Sequence, residues 1–227
     1  MRPVAEGLLY HAVNRGDNRA RVFFAAADYH AFLEALAKTQ QRYPFRLYGY
    51  CLRTNPFHLL SAPEAGVSIS RILQSLTVAP TWHSHRRRGG VGHVWQGRFK
   101  SPVVQDDDHA LVVLRYIEVN PLRARMVADL AGYPWSSYGA HGLGRDDGVV
   151  RPLSVWEALE RDPEKRRAYW RKWAHTALTE SELAGVRKSA ASGRPFGDAA
   201  WTEAKAVELG LPTSPKPRGR PRKDRKR

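Results

Sequence analysis

The residue with the clearest chemical potential is His58, in the run Arg53-Thr54-Asn55-Pro56-Phe57-His58-Leu59-Leu60. An imidazole on a strand becomes part of a metal chelate when a second ligand stands two positions away, because alternate strand residues share a face. Position 56 would supply that partner, and it is a proline, which carries no side-chain donor atom. The segment therefore reads as half of a two-histidine metal site. Further along, Tyr116-Ile117-Glu118-Val119-Asn120-Pro121 sets a phenol and a carboxamide one helical turn apart, on one helix face. Each residue also has a plainer reading: His58 as a hydrogen-bonded core histidine, Tyr116 as a buried packing residue, Asn120 as a helix-ending residue before Pro121.

The elements that must position these groups follow from periodicity and punctuation. Leu8 to Asn14 is a short apolar run that ends at Arg15-Gly16-Asp17-Asn18, which predicts a strand and a turn. From Asp28, a suitable N-cap, the positions Tyr29, Phe32, Leu33, Leu36 and Ala37 recur at helical spacing. Phe45 to Leu52 and Phe57 to Leu60 flank Thr54-Asn55-Pro56 and predict a hairpin. Ser68 caps a helix carrying Ile69, Ile72, Leu73 and Leu76, which Pro80 should stop or kink. Trp95 to Val104 is strand-like again, and Asp106-Asp107-Asp108 opens a helix bearing Leu111, Leu114, Arg115 and Tyr116. The order β-α-β-β-α-β-α predicts an α+β fold: a ferredoxin-like antiparallel sheet with helices on one face.

Beyond Tyr133-Pro134-Trp135-Ser136-Ser137-Tyr138 strand signals stop. Pro163 to Ala177 is basic and amphipathic, Thr179 to Glu182 fits a capping box, Asp198 can begin a helix and Gly210 can end it. The expected organisation is a main domain over residues 1–140, a helical appendage over 141–211 and a disordered basic tail over 212–227. From Lys216 to Arg227 eight of twelve residues are basic against the single acid Asp224, so this end supplies +7 of the formal +15.

That charge selects polyanions as partners, and nucleic acid is the natural one. No apolar run approaches the roughly 20 residues needed to span a bilayer, and the single cysteine, Cys51, excludes an intramolecular disulfide. With no charged-then-apolar secretory signal at its start, the chain is expected to be cytoplasmic. Arg86, Arg87 and Arg88 precede Trp95, Arg98, Phe99 and Lys100, and cations interleaved with aromatics suit a single strand whose phosphates pair with charge while its bases stack. His83, His85 and His93 match no zinc spacing and read as phosphate or surface contacts. Pro217-Arg218-Gly219-Arg220-Pro221-Arg222-Lys223 resembles an AT-hook, in which an Arg-Gly-Arg core follows the A·T-rich minor groove of duplex DNA.

Five ordered motifs carry a wider resemblance: Tyr10-His11-Ala12-Val13-Asn14-Arg15-Gly16; Asn55 to Leu60; Gly92-His93-Val94-Trp95-Gln96-Gly97-Arg98-Phe99-Lys100; Arg115 to Pro121; and Tyr133 to Tyr138. Over about residues 8 to 140 the chain resembles the HUH-class tyrosine transposases, specifically the REP-associated tyrosine transposases that act on single-stranded DNA hairpins. The resemblance implies a ferredoxin-like core whose helix-borne tyrosine, here Tyr116, attacks a DNA phosphodiester, forming a 5′-phosphotyrosine link and releasing a 3′-hydroxyl. A phenol is a weak nucleophile near neutral pH, so a divalent cation, Mg²⁺ or Mn²⁺, must polarise the phosphate. The family holds that cation with a histidine pair whose positions are Pro56 and His58 here; Asn120 matches the polar residue that assists. Arg15, Trp95, Arg98 and Lys100 fall in motifs expected to meet the DNA.

Pro56 is the departure. With one imidazole missing, the cation keeps His58, substrate oxygens and water, and Asn120 where its amide reaches; a small strand shift could recruit His11 or a histidine between 83 and 93. Two functions stay open: a metal-dependent tyrosine DNA endonuclease and strand transferase, or a catalytically impaired derivative that binds hairpin DNA without cutting it. An RNA-binding ferredoxin-like domain shares the strand order but needs an aromatic RNP signature that this chain lacks.

Overall fold

The computed structural model describes residues 7–64, 66–89, 91–106 and 108–211. Arg218, Arg220 and the AT-hook-like string lie outside them. Among the described residues four strands, β1 (Leu9–Asn14), β2 (Phe45–Leu52), β3 (Phe57–Pro63) and β4 (Val103–Val104), form one sheet in the order β2-β3-β1-β4. All neighbouring strands run antiparallel. With α1 (Ala26–Arg42) between β1 and β2 and α2 (Ile69–Arg88) between β3 and β4, the connectivity is that of the expected ferredoxin-like core.

Strand alternation sorts the side chains into two layers. Tyr10, Ala12, Leu47, Phe57 and Leu59 point to one face and join Phe32 and Leu36 of α1 and Ile72, Leu73 and Leu76 of α2 in one cluster. Leu9, Cys51, Leu60 and Val104 point the other way and meet α3 (Asp108–Glu118), whose Leu111, Leu114 and Ile117 are all buried. Removing each of those three side chains from water is worth about 1.5–3 kcal/mol. The α+β class and the antiparallel sheet are as expected; the helices, however, cover both faces rather than one. The second face is apolar, so it needs a cover of its own.

That cover extends past α3 and the short α4 (Asn120–Arg123). Then come α5 (Tyr138–Leu143), α6 (Ser154–Glu157), α7 (Pro163–His175), α8 (Glu180–Ser192) and α9 (Ala199–Glu208). Trp156, Trp170, Ala174 and Val186 belong to the same buried cluster as Leu60 and Leu114. The segment expected as an appendage thus supplies core to the α3 side of the sheet. The Thr179–Glu182 capping box and the left-handed Gly210 are where the sequence places them.

Three local expectations change. Asp28 stands in the first turn of α1 rather than at its cap, its carboxylate accepting the backbone N–H groups of Phe24 and Ala25. Pro80 does not end α2, which runs on to Arg88 and stops at the left-handed Gly89. The following loop supports the turn that proline weakens: the Trp95 indole N–H donates to the Thr77 carbonyl and to the Thr81 hydroxyl. Finally, the Trp95–Val104 stretch pairs with β1 through isolated bridges, Gly16 to Trp95 and Val13 to Lys100, before the short β4. Among the described residues no helix is long and apolar enough to cross a membrane.

Candidate active site

The site lies between the second sheet face and α3. Antiparallel pairing sets Val13 opposite His58 and His11 opposite Leu60, so His11 and His58 are diagonal neighbours on one face. Their rings stack at 5.2 Å between centroids, and His11 Nε2 lies 3.0 Å from His58 Nδ1. Tyr116 approaches both edge-on, 5.9 Å from the His11 ring and 5.8 Å from the His58 ring. All three are nearly closed to solvent, at 1%, 4% and 8% exposure. Burial pushes the His11 imidazole down to about 3. His58 is held well below its usual value by burial first and then by positive charge on His11 and Arg53. Both rings are therefore neutral near pH 7, the form in which imidazole ligates a metal.

Asn120 lies beyond the helix that carries Tyr116. Helix α3 ends at Glu118 and α4 begins at Asn120, with Val119 between them at φ −84° and ψ 0°. The Asn120 carbonyl oxygen accepts a hydrogen bond of 2.9 Å from the Arg53 guanidinium. Its amide nitrogen is buried without a partner, as is Arg53 Nε. Arg123 stands 5.3 Å from the centroid of the Tyr116 ring. Its basicity is lowered by burial and by the neighbouring charge of Arg187, with the Tyr116 phenol opposing and Arg53 adding to the lowering. Arg123 of α4 thus stands against the phenol, and the charges of Arg187 from α8 and Arg53 from the β2–β3 connection act on Arg123 in turn. Like charges gathered this way favour an anion between them.

Tyr116 is held in place from behind. Glu118, fully buried, accepts hydrogen bonds from Ser137 Oγ at 2.5 Å, His141 Nδ1 at 2.6 Å and Trp170 Nε1 at 2.8 Å. Arg115, also buried, pairs with Glu182 of α8 at 2.9 Å and lies 4.2 Å over the Trp173 ring of α7. Of the residues the sequence singles out for chemistry, the structure thus brings Tyr116 and His58 side by side, with Asn120 joined to the site through Arg53.

The candidate DNA contacts sit elsewhere. Arg86 and Arg87 are exposed on the last turn of α2, which packs on the opposite sheet face. Arg88 turns back onto Asp28 at 2.5 Å and over the Phe24 ring at 4.0 Å, so its charge is already paired. His83 also meets Asp28, at 3.3 Å. Trp95 is half-buried, its indole N–H committed to α2 and its ring edge-on to Phe57 at 5.4 Å, which leaves it a packing residue rather than an open stacking platform. Arg15, Arg98 and Lys100 are exposed. A groove of about 760 Å³ runs between α2 and the 92–99 loop, lined by Asn14, Gln74, Thr81, Trp95 and Arg98 among others.

Arg53, Arg123 and Arg187 are not among the residues that the sequence motifs single out. Arg53 immediately precedes the Pro56 hairpin and Arg123 follows Asn120 by one turn, so proximity to the motifs was a usable signal for both; Arg187 arrives only through the packing of α8. Among the described residues no group of three or more His, Cys, Asp or Glu side chains could hold a metal ion. The donors that do converge are the two imidazoles.

The model of the IS200-like transposases matches residues 4–120, a span that includes His11, His58, Tyr116 and Asn120. The chain belongs to that family. A solved structure described as the REP-associated tyrosine transposase bound to a REP hairpin superposes with a TM-score of 0.54 at 19% identity, covering 66% of this chain and 87% of that one. At that identity the likeness is one of fold. No curated protein matches the chain.

Proposed function

We propose that this protein binds a hairpin of single-stranded DNA and cleaves and rejoins it through a 5′-phosphotyrosine intermediate at Tyr116. The observation that carries the reading is the placement of the phenol 5.8 Å from the His58 ring and 5.9 Å from the His11 ring, with Arg123 against it. The Tyr116 hydroxyl gives up its proton as its oxygen bonds to phosphorus, the bond from phosphorus to the 3′-oxygen breaks, and that oxygen takes up a proton and leaves as a hydroxyl. The phosphoester is conserved, so a second 3′-hydroxyl can reverse the step and rejoin the strand. A divalent cation, Mg²⁺ or Mn²⁺, held at His58 would supply Lewis-acid stabilisation of the phosphate. Arg53 and Arg123 add fixed positive charge beside the phenol. Because Asn120 has its oxygen engaged by Arg53, its free amide N–H is the group able to donate to a phosphate oxygen. The likeness in fold to a hairpin-bound transposase supports a hairpin partner. The tail with Arg218 and Arg220 would tether the protein to A/T-rich duplex, and a DNA substrate puts its place of action in the cytoplasm.

One observation favours the second reading, a DNA-binding derivative without strand transfer. Pro56 offers no ligand and the Asn120 oxygen is already taken, so the expected histidine pair with amide is reduced to His58. Incubation of the full chain with 3′-labelled hairpin DNA and Mn²⁺, followed by denaturing electrophoresis, separates the two. A detergent-resistant adduct that disappears in Tyr116→Phe supports cleavage. Hairpin binding with no adduct at any metal concentration overturns it, and recovery of an adduct in Pro56→His would then locate the defect.

A further inference from the structure

We propose that Arg53, Asn120 and Arg123 form a phosphate-binding site that takes the backbone phosphate of a DNA strand without a metal. It deepens the reading of this face as the DNA-processing site, on which it rests for its purpose though not for its test, and it assigns the hold on the phosphate to the protein's own donors. A guanidinium can only donate, so the side-chain atom of Asn120 that faces Arg53 Nη1 at 2.9 Å is its carbonyl oxygen. That bond fixes the amide and turns its nitrogen away from Arg53. Asn120 is 5% exposed, and its Nδ2 is buried without a partner. Arg53 Nε is stranded in the same way. Both unmatched groups of this hydrogen-bonded pair are therefore donors, and buried donors left open call for an acceptor.

Charge says which acceptor. Arg123, one turn beyond Asn120 on α4, stands 5.3 Å from the centroid of the Tyr116 ring, and the charges of Arg187 and Arg53 both act on it. Among the described residues none of these three arginines has a carboxylate partner; Glu182, on the same helix as Arg187, is committed to Arg115. The two imidazoles on this face point at each other, His11 Nε2 to His58 Nδ1 at 3.0 Å with 5.2 Å between ring centroids, so they are a hydrogen-bonded pair and not a vacant chelate. Uncompensated positive charge, open N–H donors and no carboxylate make a place that an anion fills first. A phosphodiester suits it: the negative charge is spread over its non-bridging oxygens, and these accept from guanidinium and amide N–H groups in short, charge-assisted bonds. Held there, it lies on the side of the domain that carries the Tyr116 phenol.

The direct test is NMR of the full chain, ¹⁵N-labelled at its asparagine side chains and titrated with inorganic phosphate in the presence of EDTA at constant ionic strength. The chain has four asparagines, Asn14, Asn18, Asn55 and Asn120, and the signal missing from Asn120→Asp assigns the last. The expected result is a saturable shift of the Asn120 amide with phosphate but not with chloride, and no comparable shift at Asn14, Asn18 or Asn55. Arg53→Gln should weaken that response about tenfold or more, the loss of one hydrogen bond to a charged group. Asn120→Asp, which sets a carboxylate where the anion would sit, should weaken binding of a single-stranded oligonucleotide in EDTA by at least a similar factor. An Asn120 amide that ignores phosphate, or responds only once Mg²⁺ is added, overturns the site, as does an equal response at all four asparagines. The spectrum of the natural chain decides even where a variant fails to fold. A phosphate response without a DNA adduct refutes the strand-transfer reading and leaves the anion site standing; an adduct without a phosphate response does the reverse.

Discussion

Replacing Glu118 with alanine should loosen the helix that carries Tyr116 by an amount the geometry sets. The carboxylate is fully buried and accepts from Ser137, His141 and Trp170 at 2.5, 2.6 and 2.8 Å. Its loss strands three donors that belong to the loop before α5, to α5 and to α7, in a region closed to water. Breaking a buried, hydrogen-bonded charge by removing one side typically costs about 3–5 kcal/mol, and unmet buried donors account for about 1–3 kcal/mol each when the region does not relax. We take about 4 kcal/mol as the expected loss. For a chain of this size one kcal/mol moves the melting midpoint by roughly 2–4 °C, which makes the shift about 8–16 °C. Urea unfolding followed by tryptophan fluorescence reports it directly, since Trp170 is one of the donors. Glu118→Gln should lose less, about 1–3 kcal/mol, because one oxygen acceptor survives while the new amide N–H faces other donors. If Glu118→Ala unfolds within about 1 kcal/mol of the natural chain, the view that this carboxylate fixes α3 against α5 and α7 is wrong.

Two further perturbations test the rest of the frame. Burial works to raise the Asp28 carboxyl, but the backbone N–H groups of Phe24 and Ala25 and the Arg88 guanidinium together hold it below its ordinary value. A carboxyl whose folded value is depressed contributes stability that is full above the unfolded value of about 3.9 and lost as pH falls through the folded one. Asp28→Asn should therefore cost about 1–3 kcal/mol at pH 7 in urea unfolding, and the gap from the natural chain should narrow below about pH 4; a gap that stays constant down to pH 2 would exclude the ion pair as its source. Hairpin binding should weaken linearly in log salt by roughly 0.7 for each phosphate neutralised on a single strand. Removing both exposed arginines in Arg86→Ala/Arg87→Ala should make the slope shallower, whereas a flat salt response in the natural chain would contradict an electrostatic interface.

Much of this was legible because the signals are local. The strand Phe45–Leu52, the Ser68 cap and the Thr179 capping box follow from side chains acting within a few residues of themselves. The same locality misled at Pro80, where a proline that weakens an isolated helix is carried by Trp95 bonding back onto Thr77 and Thr81. It misled again at Arg88 and Trp95, whose types suit DNA but whose side chains are spent on Asp28 and α2.

From the order of its elements and five short motifs, the amino-acid string alone determined the family, the fold class and the pairing of a phenol with an imidazole as the groups to watch. Those are properties of types and spacings. What stands beside the phenol was decided only by folding. His11 is 47 residues from His58, and nothing local announces that antiparallel register brings their nitrogens to 3.0 Å. Likewise the Trp170 and Glu182 contacts reach α3 because the apolar second face of the sheet needs a cover, and the chain beyond residue 140 provides it. Register and layer packing are long-range outcomes of burial, so the composition of the site belongs to the tertiary structure.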